Sequence, residues 1–160
     1  DLATAAGEVK CATMRKEMAW GKLWRERAPG ADMYDFSPDQ QHDDRRHRID
    51  GTRVQLKCVR WTPEHRYQNG NCKKLSTHKA DFLFRNCKRE GRYNTQPYDI
   101  GDNDAYVFLY HDTNTDTLKV WHVPEQVLIE RGLVGGTQKS LFYRTHKHWL
   151  DAHLVEYPAP

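Results

Sequence analysis

The sequence has 160 residues and a mass of 18.8 kDa, a length that suits one domain. Its mean hydropathy is low, at −0.94, but aromatic residues make up 11% of the chain, so large side chains can form a core and long disorder is not expected. No apolar run approaches the ~20 residues of a membrane helix. No basic segment followed by an apolar one marks a signal peptide, so we expect an intracellular protein without a membrane partner.

The charge is distributed unevenly along the chain. The net charge is +3, but residues 53–92 hold eleven Lys and Arg against three Asp and Glu, a local balance of +8. This asymmetry predicts a surface for a polyanion, with a solvated basic hairpin as the alternative. The cations expected to contact nucleic acid are Arg53, Arg60, Arg66, Lys73, Lys74, Lys79, Arg85, Lys88 and Arg89.

The four cysteines are irregularly spaced and form no Cys-x-x-Cys pair. A disulfide framework would need a secretory context that the sequence does not show. Cys58, Cys72, His78 and Cys87 could bind zinc, but the close ligand pairs of common zinc sites are missing. We therefore favour cysteine as an ordinary small hydrophobic residue.

The first half of the chain predicts a helix, a short strand and a long strand. Met14, Met18 and Leu23 recur at helical spacing, which predicts a helix over 7–27 that ends at Pro29-Gly30. Residues 31–36 alternate weakly and predict a short strand, whereas 37–47 are polar and predict a loop or the end of a hairpin. Alternating apolar residues over 53–61 predict a long strand.

The second half predicts the remaining elements of one domain, 1–160. The most apolar strand is expected at 105–110, in the middle of a sheet. Flanking elements are expected as a strand at 81–84, a polar excursion at 88–101, a hairpin loop at 112–116, a strand at 118–123, helices at 125–131 and 148–153, an apolar piece at 140–143 and a frayed tail at 155–160.

Three short polar motifs lie on the first three elements in order. Gly7-Glu8 begins the helix, Tyr34-Asp35 ends the short strand, and Gln55-x-Lys57 places two polar side chains on one face of the long strand, about 7 Å apart. This arrangement resembles the PD-(D/E)XK nuclease superfamily, in its small homing-endonuclease and Holliday-resolvase-like branch, over residues 7 to about 134. The resemblance implies a restriction-endonuclease-like α/β domain, with a mixed central sheet flanked by helices and a core over about 7–134.

The resemblance also implies a reaction and a site. The expected activity is metal-dependent hydrolysis of DNA phosphodiester bonds, with Glu8, Asp35 and Gln55 binding Mg²⁺ or Mn²⁺ and Lys57 beside the attacking water. Hard oxygen ligands suit Mg²⁺, and a cation at the scissile phosphate activates water. The Gln55 amide is a weaker ligand than the carboxylate usual at this position.

Alternatives stay open for the site and for the function. Glu17, Asp44 and Asp50 are rival acids, and His65, His78 and His111 could also be catalytic or metal-binding. The chain could instead be an inactive nucleic-acid-binding module, or a zinc-stabilised interaction domain. The sequence does not separate DNA from RNA, or monomer from homodimer.

Overall fold

A computed structural model describes residues 17–39, 43–62, 67–68, 71–72, 82–90 and 94–155. A helix over 17–27 (α1) precedes a 3₁₀ turn, Ala31–Met33. The strands and later helices are β1 (Tyr34–Phe36), β2 (Arg45–His47), β3 (Arg53–Trp61), β4 (Tyr67–Gln68), β5 (Asn71–Cys72), β6 (Leu83–Arg85), β7 (Cys87–Glu90), β8 (Asn94–Pro97), β9 (Ala105–Asp112), β10 (Thr117–Pro124), α2 (Glu125–Glu130), β11 (Ser140–Phe142), α3 (Tyr143–Leu150) and a 3₁₀ turn, Asp151–His153.

The central sheet has five strands in the order β1-β2-β3-β9-β10. Strands β3 and β9 are parallel, and the other neighbours are antiparallel, so the sheet is mixed. The predicted central strand is confirmed: β9 lies between β3 and β10, and its residues 105–110 are all buried. Smaller two-stranded pairings join β6 to β11, β7 to β8, and β4 to β5.

Helices cover both faces of this sheet, which confirms the expected α/β class. The alternation in β3 points Val54 and Leu56 towards α1, where they pack with Trp24. The opposite face carries Val59 and a larger aromatic core with residues of α2, α3, β6 and β11. This core continues past residue 134, with Leu141, Trp149 and Leu150 buried in it.

Two segments expected to be irregular contain strands. The polar segment 37–47 includes β2, and the excursion 88–101 includes most of the β7–β8 hairpin. Both consist of charged and polar residues without apolar alternation, so the pairing comes from main-chain hydrogen bonds to neighbouring strands. Conversely, 31–33 form a 3₁₀ turn rather than strand.

The helices differ in extent from their sequence predictions. The first ends before Pro29-Gly30 as predicted. The segment expected at 148–153 is helical throughout, as the end of α3 and the following 3₁₀ turn, but α3 begins earlier, at Tyr143. Among the described residues, no helix has the length and apolar character required to cross a bilayer.

Candidate active site

Lys57 extends from the middle of β3 into a largely buried position. Its Nζ lies 3.5 Å from the carbonyl oxygen of Cys87 and 4.9 Å from the centroid of the Tyr98 ring. Burial lowers the pKa of the Lys57 ammonium, and the nearby charges of Asp44 and Glu17 act in the opposite direction. A lysine with a lowered pKa, packed between a carbonyl and an aromatic ring, has the features of a reactive group.

Asp44 is fixed at the edge of β3 by two hydrogen bonds. Its main-chain N–H donates to the Val54 carbonyl (3.0 Å), and its Oδ2 accepts a hydrogen bond from the Leu56 N–H (2.8 Å). These bonds lie on either side of Gln55, and Asp44 directly precedes Arg45, the first residue of β2 and the partner of Val54. Burial raises the pKa of the Asp44 carboxyl, while the Leu56 N–H and Lys57 oppose this increase.

Glu17 reaches the same region from α1. A cavity of about 340 Å³ is bounded by Glu17, Met18, Trp20, Phe36, Asp44, Arg45 and Leu56. Partial burial raises the pKa of the Glu17 carboxyl, and the charge of Asp44 raises it further. Two neighbouring carboxyl groups with raised pKa values form a region where a bound cation would be favourable.

Asp35 lies elsewhere in the sheet, which corrects its predicted place in the site. Its half-exposed carboxylate accepts two hydrogen bonds from Arg48, at 3.1 and 2.9 Å, and these hold its pKa below the usual range. The register aligns Asp35 with Arg46 and Arg46 with Arg53. Lys57 is therefore two strand spacings and four residues away, roughly 16 Å between Cα atoms. The carboxylate charges that act on the Lys57 ammonium are those of Asp44 and Glu17.

The other predicted site residues and the rival acid Asp50 have three different outcomes. Gln55 and Lys57 share one face of β3, two residues apart, as predicted. Glu8 lies outside the described residues. The rival acid Asp50 is at the turn after β2, where its exposed carboxylate accepts hydrogen bonds from Thr52.

The sequence held a signal for Asp44 that the loop prediction missed. The turn chemistry at Asp50-Gly51 sits between Arg45–His47 and the start of β3, and Gly51 has a positive φ of 73°. A tight turn at this point pairs residue 45 with residue 54 and brings Asp44 beside Gln55. A hairpin over 45–54 therefore places this acid beside the Gln55-x-Lys57 strand.

A hard cation bound at this site would need an amide oxygen in addition to carboxylate ligands. In the part of the chain that the structure describes, no three His, Cys, Asp or Glu side chains are grouped so that they could hold a metal ion. Glu17 and Asp44 supply two carboxylates, and Gln55 directly precedes Leu56, whose N–H binds the Asp44 carboxylate. Carboxylate and amide oxygens are the types of ligand found around Mg²⁺, and fewer charges imply weaker binding.

Several predicted nucleic-acid contacts are engaged in ion pairs. Arg53 binds both carboxylate oxygens of Asp104, and Lys88 binds Asp99 at 2.6 Å and Asp102 at 3.1 Å. The exposed residues of the predicted set are Arg60 and Arg85. Positions outside the described residues, or with side chains that are not described, are Arg66, Lys73, Lys74, Lys79 and Arg89.

The described cysteines do not gather into a predicted zinc site. Cys58 packs with the core beside α1, whereas Cys87 presents its carbonyl to Lys57 on the other side of β3; both thiols are free. His78 and the Cys72 side chain lie outside the described part. The Nε2 of His111 is 2.8 Å from Asp116, in the turn after β9. His65 also falls outside the described residues.

Comparison with known proteins gives a structural likeness. No protein-family model matches the sequence, and no curated protein matches it significantly. The crystal structure of a protein named MepB aligns with this chain at a TM-score of 0.51 and 11% identity, over 79% of this chain and 87% of that one. At this identity the likeness concerns the fold alone.

Proposed function

We propose that this chain is a divalent-metal-dependent endonuclease that hydrolyses phosphodiester bonds in DNA. The observation that carries the proposal is the largely buried Lys57 amine, whose protonated form is favoured by the charge of the Asp44 carboxylate. That carboxylate is bonded to the backbone of the same strand as Lys57. In chain order, Glu17 lies on α1, Asp44 directly precedes β2, and the Gln55-x-Lys57 pair lies on β3. That order is the one for which the sequence resembles the PD-(D/E)XK superfamily, now with Glu17 and Asp44 in place of Glu8 and Asp35.

The proposed ligands are Glu17, Asp44 and Gln55, and their chemistry suits Mg²⁺ or Mn²⁺. When bound, such an ion lowers the pKa of a water molecule and offsets charge on the phosphate. The Leu56 N–H holds the Asp44 carboxylate in one orientation, so the carboxylate can bind a metal ion without first losing rotamer freedom. Gln55 contributes no charge, and we therefore expect weak metal affinity.

The proposed role of Lys57 follows from its surroundings. Burial lowers the pKa of Lys57, so a larger fraction of the amine is neutral and able to accept the proton of the attacking water. In its protonated form the same side chain stabilises the extra negative charge on phosphate in the transition state. The Tyr98 ring and the Cys87 carbonyl hold the amine in place for either step.

A cleavage assay with paired acid variants tests this proposal. Purified protein is incubated with supercoiled plasmid and Mg²⁺ or Mn²⁺, with and without EDTA, and nicked and linear products are counted. We expect cleavage that needs metal, loss of cleavage in Asp44→Ala and Lys57→Ala, and full cleavage in Asp35→Ala, the matched control. Inactive Asp35→Ala beside active Asp44→Ala would reverse the choice of acid. A parent protein that cuts neither plasmid nor oligonucleotide refutes the proposed activity.

A second candidate is a nucleic-acid-binding module of the same fold without catalysis. It is favoured by one observation, the neutral Gln55 where the superfamily usually carries an acid. This candidate predicts binding whose affinity falls with the logarithm of salt concentration, with no metal-dependent product. Restoring an acid by Gln55→Glu separates the two candidates, because it should raise the metal affinity of an active enzyme.

Duplex cleavage by a homodimer is part of the first proposal, and light scattering on the DNA complex would test it.

A further inference from the structure

A second basic segment of the chain lies outside the one at 53–92. Residues 139–150 hold three Lys and Arg, two His and no Asp or Glu. They comprise Lys139, strand β11 and helix α3. The proposed reaction gives none of these side chains a role. An excess of one charge on an ordered part of the chain is typical of a surface that binds a polyanion.

Helix α3 carries its exposed cationic side chains on one face. Arg144, Lys147 and His148 are exposed and follow the spacing i, i+3, i+4, which places them together on the helix surface. Trp149 and Leu150 lie on the other face and are buried in the aromatic core. Packing therefore uses the apolar face of α3, and the basic face is left in contact with solvent.

Strand β11 and its partner β6 extend this basic face. Ser140 pairs with Arg85, which is exposed, whereas Phe84 and Leu141 alternate into the core. Four residues of extended chain and four of helix give a distance of up to about 20 Å between residues 139 and 147. That length equals the rise of about six base pairs. We define the β11–α3 surface as Arg85, Lys139, Arg144 and Lys147.

The lysines of this surface are not neutralised by carboxylates. In the described part of the chain, neither Lys139 nor Lys147 forms an ion pair, whereas Arg53 is bound to Asp104. Asp151 follows α3, but its carboxylate oxygens accept hydrogen bonds from two aromatic side chains. A lysine without an acid partner can bind a phosphate without first breaking an ion pair, and binding then releases counterions from the nucleic acid.

The β11–α3 surface adjoins the segment that holds Lys57. Arg85 is two residues from Cys87, at most about 7 Å between Cα atoms, and the Cys87 carbonyl oxygen lies 3.5 Å from the Lys57 Nζ. Between them, the main-chain N–H of Asn86 donates to the Lys139 carbonyl at 2.8 Å. This bond fixes the start of β11 beside the same segment. A polymer bound along the surface is thereby led towards the buried amine.

We propose that the β11–α3 surface binds the sugar-phosphate backbone of a nucleic acid. This inference rests on the proposed endonuclease function and identifies where the substrate backbone lies. Because the contacts are with phosphates, this binding does not depend on base sequence. An anionic membrane fits less well, since membrane helices bury an apolar face in lipid, and the apolar face of α3 is already buried in the core.

Duplex binding in EDTA tests the surface independently of cleavage. The probe is a fluorescein-labelled duplex of mixed sequence, and anisotropy gives its Kd at several salt concentrations. Lys147→Gln should lower the slope of log affinity against log salt by about 0.9, which corresponds to about fivefold weaker binding near 0.15 M salt. Lys139→Gln/Lys147→Gln should double the change in slope. Lys22→Gln is the matched control and should keep the parent slope, because Lys22 is an exposed helical lysine on α1, across the sheet.

A charge-conserving variant and a lipid probe complete the test. Lys147→Arg should keep the parent slope, because it keeps the charge. Equal slopes for the parent and the double glutamine variant overturn the surface, and so does failure of the parent to bind duplex at low salt. Binding to phosphatidylserine vesicles in place of duplex would overturn it in favour of a membrane. Cleavage with equal slopes would leave the endonuclease and remove the surface, whereas the expected slopes without any cleavage would do the reverse.

Discussion

Replacement of Asp44 by Asn separates the functional role of this carboxyl from its effect on stability. Asn has nearly the same shape, and its side-chain oxygen can still accept the hydrogen bond from the Leu56 N–H. The substitution therefore removes one buried charge and keeps the local geometry. If Asp44 binds the metal, cleavage should fall by at least about 100-fold, since even the loss of an outer partner costs up to about that much.

The same substitution should stabilise the metal-free protein at neutral pH. Burial raises the pKa of Asp44, so the folded protein binds this proton more tightly than the unfolded chain does. The protonated carboxyl thus favours the folded state at low pH, and that contribution is lost as the pH rises through the folded-state pKa. Asp44→Asn avoids this loss of stability, because the Asn side chain does not ionise. An increase of about 1 kcal/mol is typical for removing a destabilising functional group, which corresponds to a Tm increase of about 2–4 °C for a chain of this size.

Thermal melts of the two proteins in EDTA at several pH values measure this effect. The Tm difference should be present at pH 7 and shrink towards zero as the pH falls below about 4, where the parent carboxyl is protonated in both states. Mg²⁺ should raise the Tm of the parent and leave that of Asp44→Asn unchanged. A variant that is less stable than the parent at pH 7 in EDTA would refute the argument that burial opposes ionisation of Asp44.

Three further predictions concern other parts of the molecule. Lys57→Met should raise the Tm at pH 7, because burial lowers the pKa of Lys57 and its protonation therefore destabilises the folded state. The Tm difference should vanish towards pH 11, where the lysine is neutral in the unfolded chain as well. Leu141→Ala should lower the free energy of unfolding by about 2–5 kcal/mol in urea melts, because Leu141 is fully buried against the aromatic core; a loss near zero would contradict this packing. Arg48→Ala should leave the cleavage rate unchanged, because the ion pair of Arg48 with Asp35 lies outside the proposed site; reduced cleavage would return Asp35 to that site.

The sequence by itself determined the parts of the fold whose patterns are local. Apolar alternation located β3, the continuous apolar run located the buried strand β9, and Pro29-Gly30 ended the first helix. The Gln55-x-Lys57 pair was also fixed locally, since residues two apart on a strand share a face. These features depend only on neighbouring residues, and the structure retains each of them.

Only the tertiary structure decided which carboxylate charges act on Lys57. Asp35 and Asp44 both precede polar stretches, and the turn chemistry at Asp50-Gly51 is the local signal that sets Asp44 apart. The pairing of β2 with β3 brings Asp44 to the Leu56 N–H, while Arg48 holds Asp35 two strands away. Because β2 consists of charged residues, its position depends on main-chain hydrogen bonds to distant strands rather than on an apolar pattern, and a single sequence does not display such bonds.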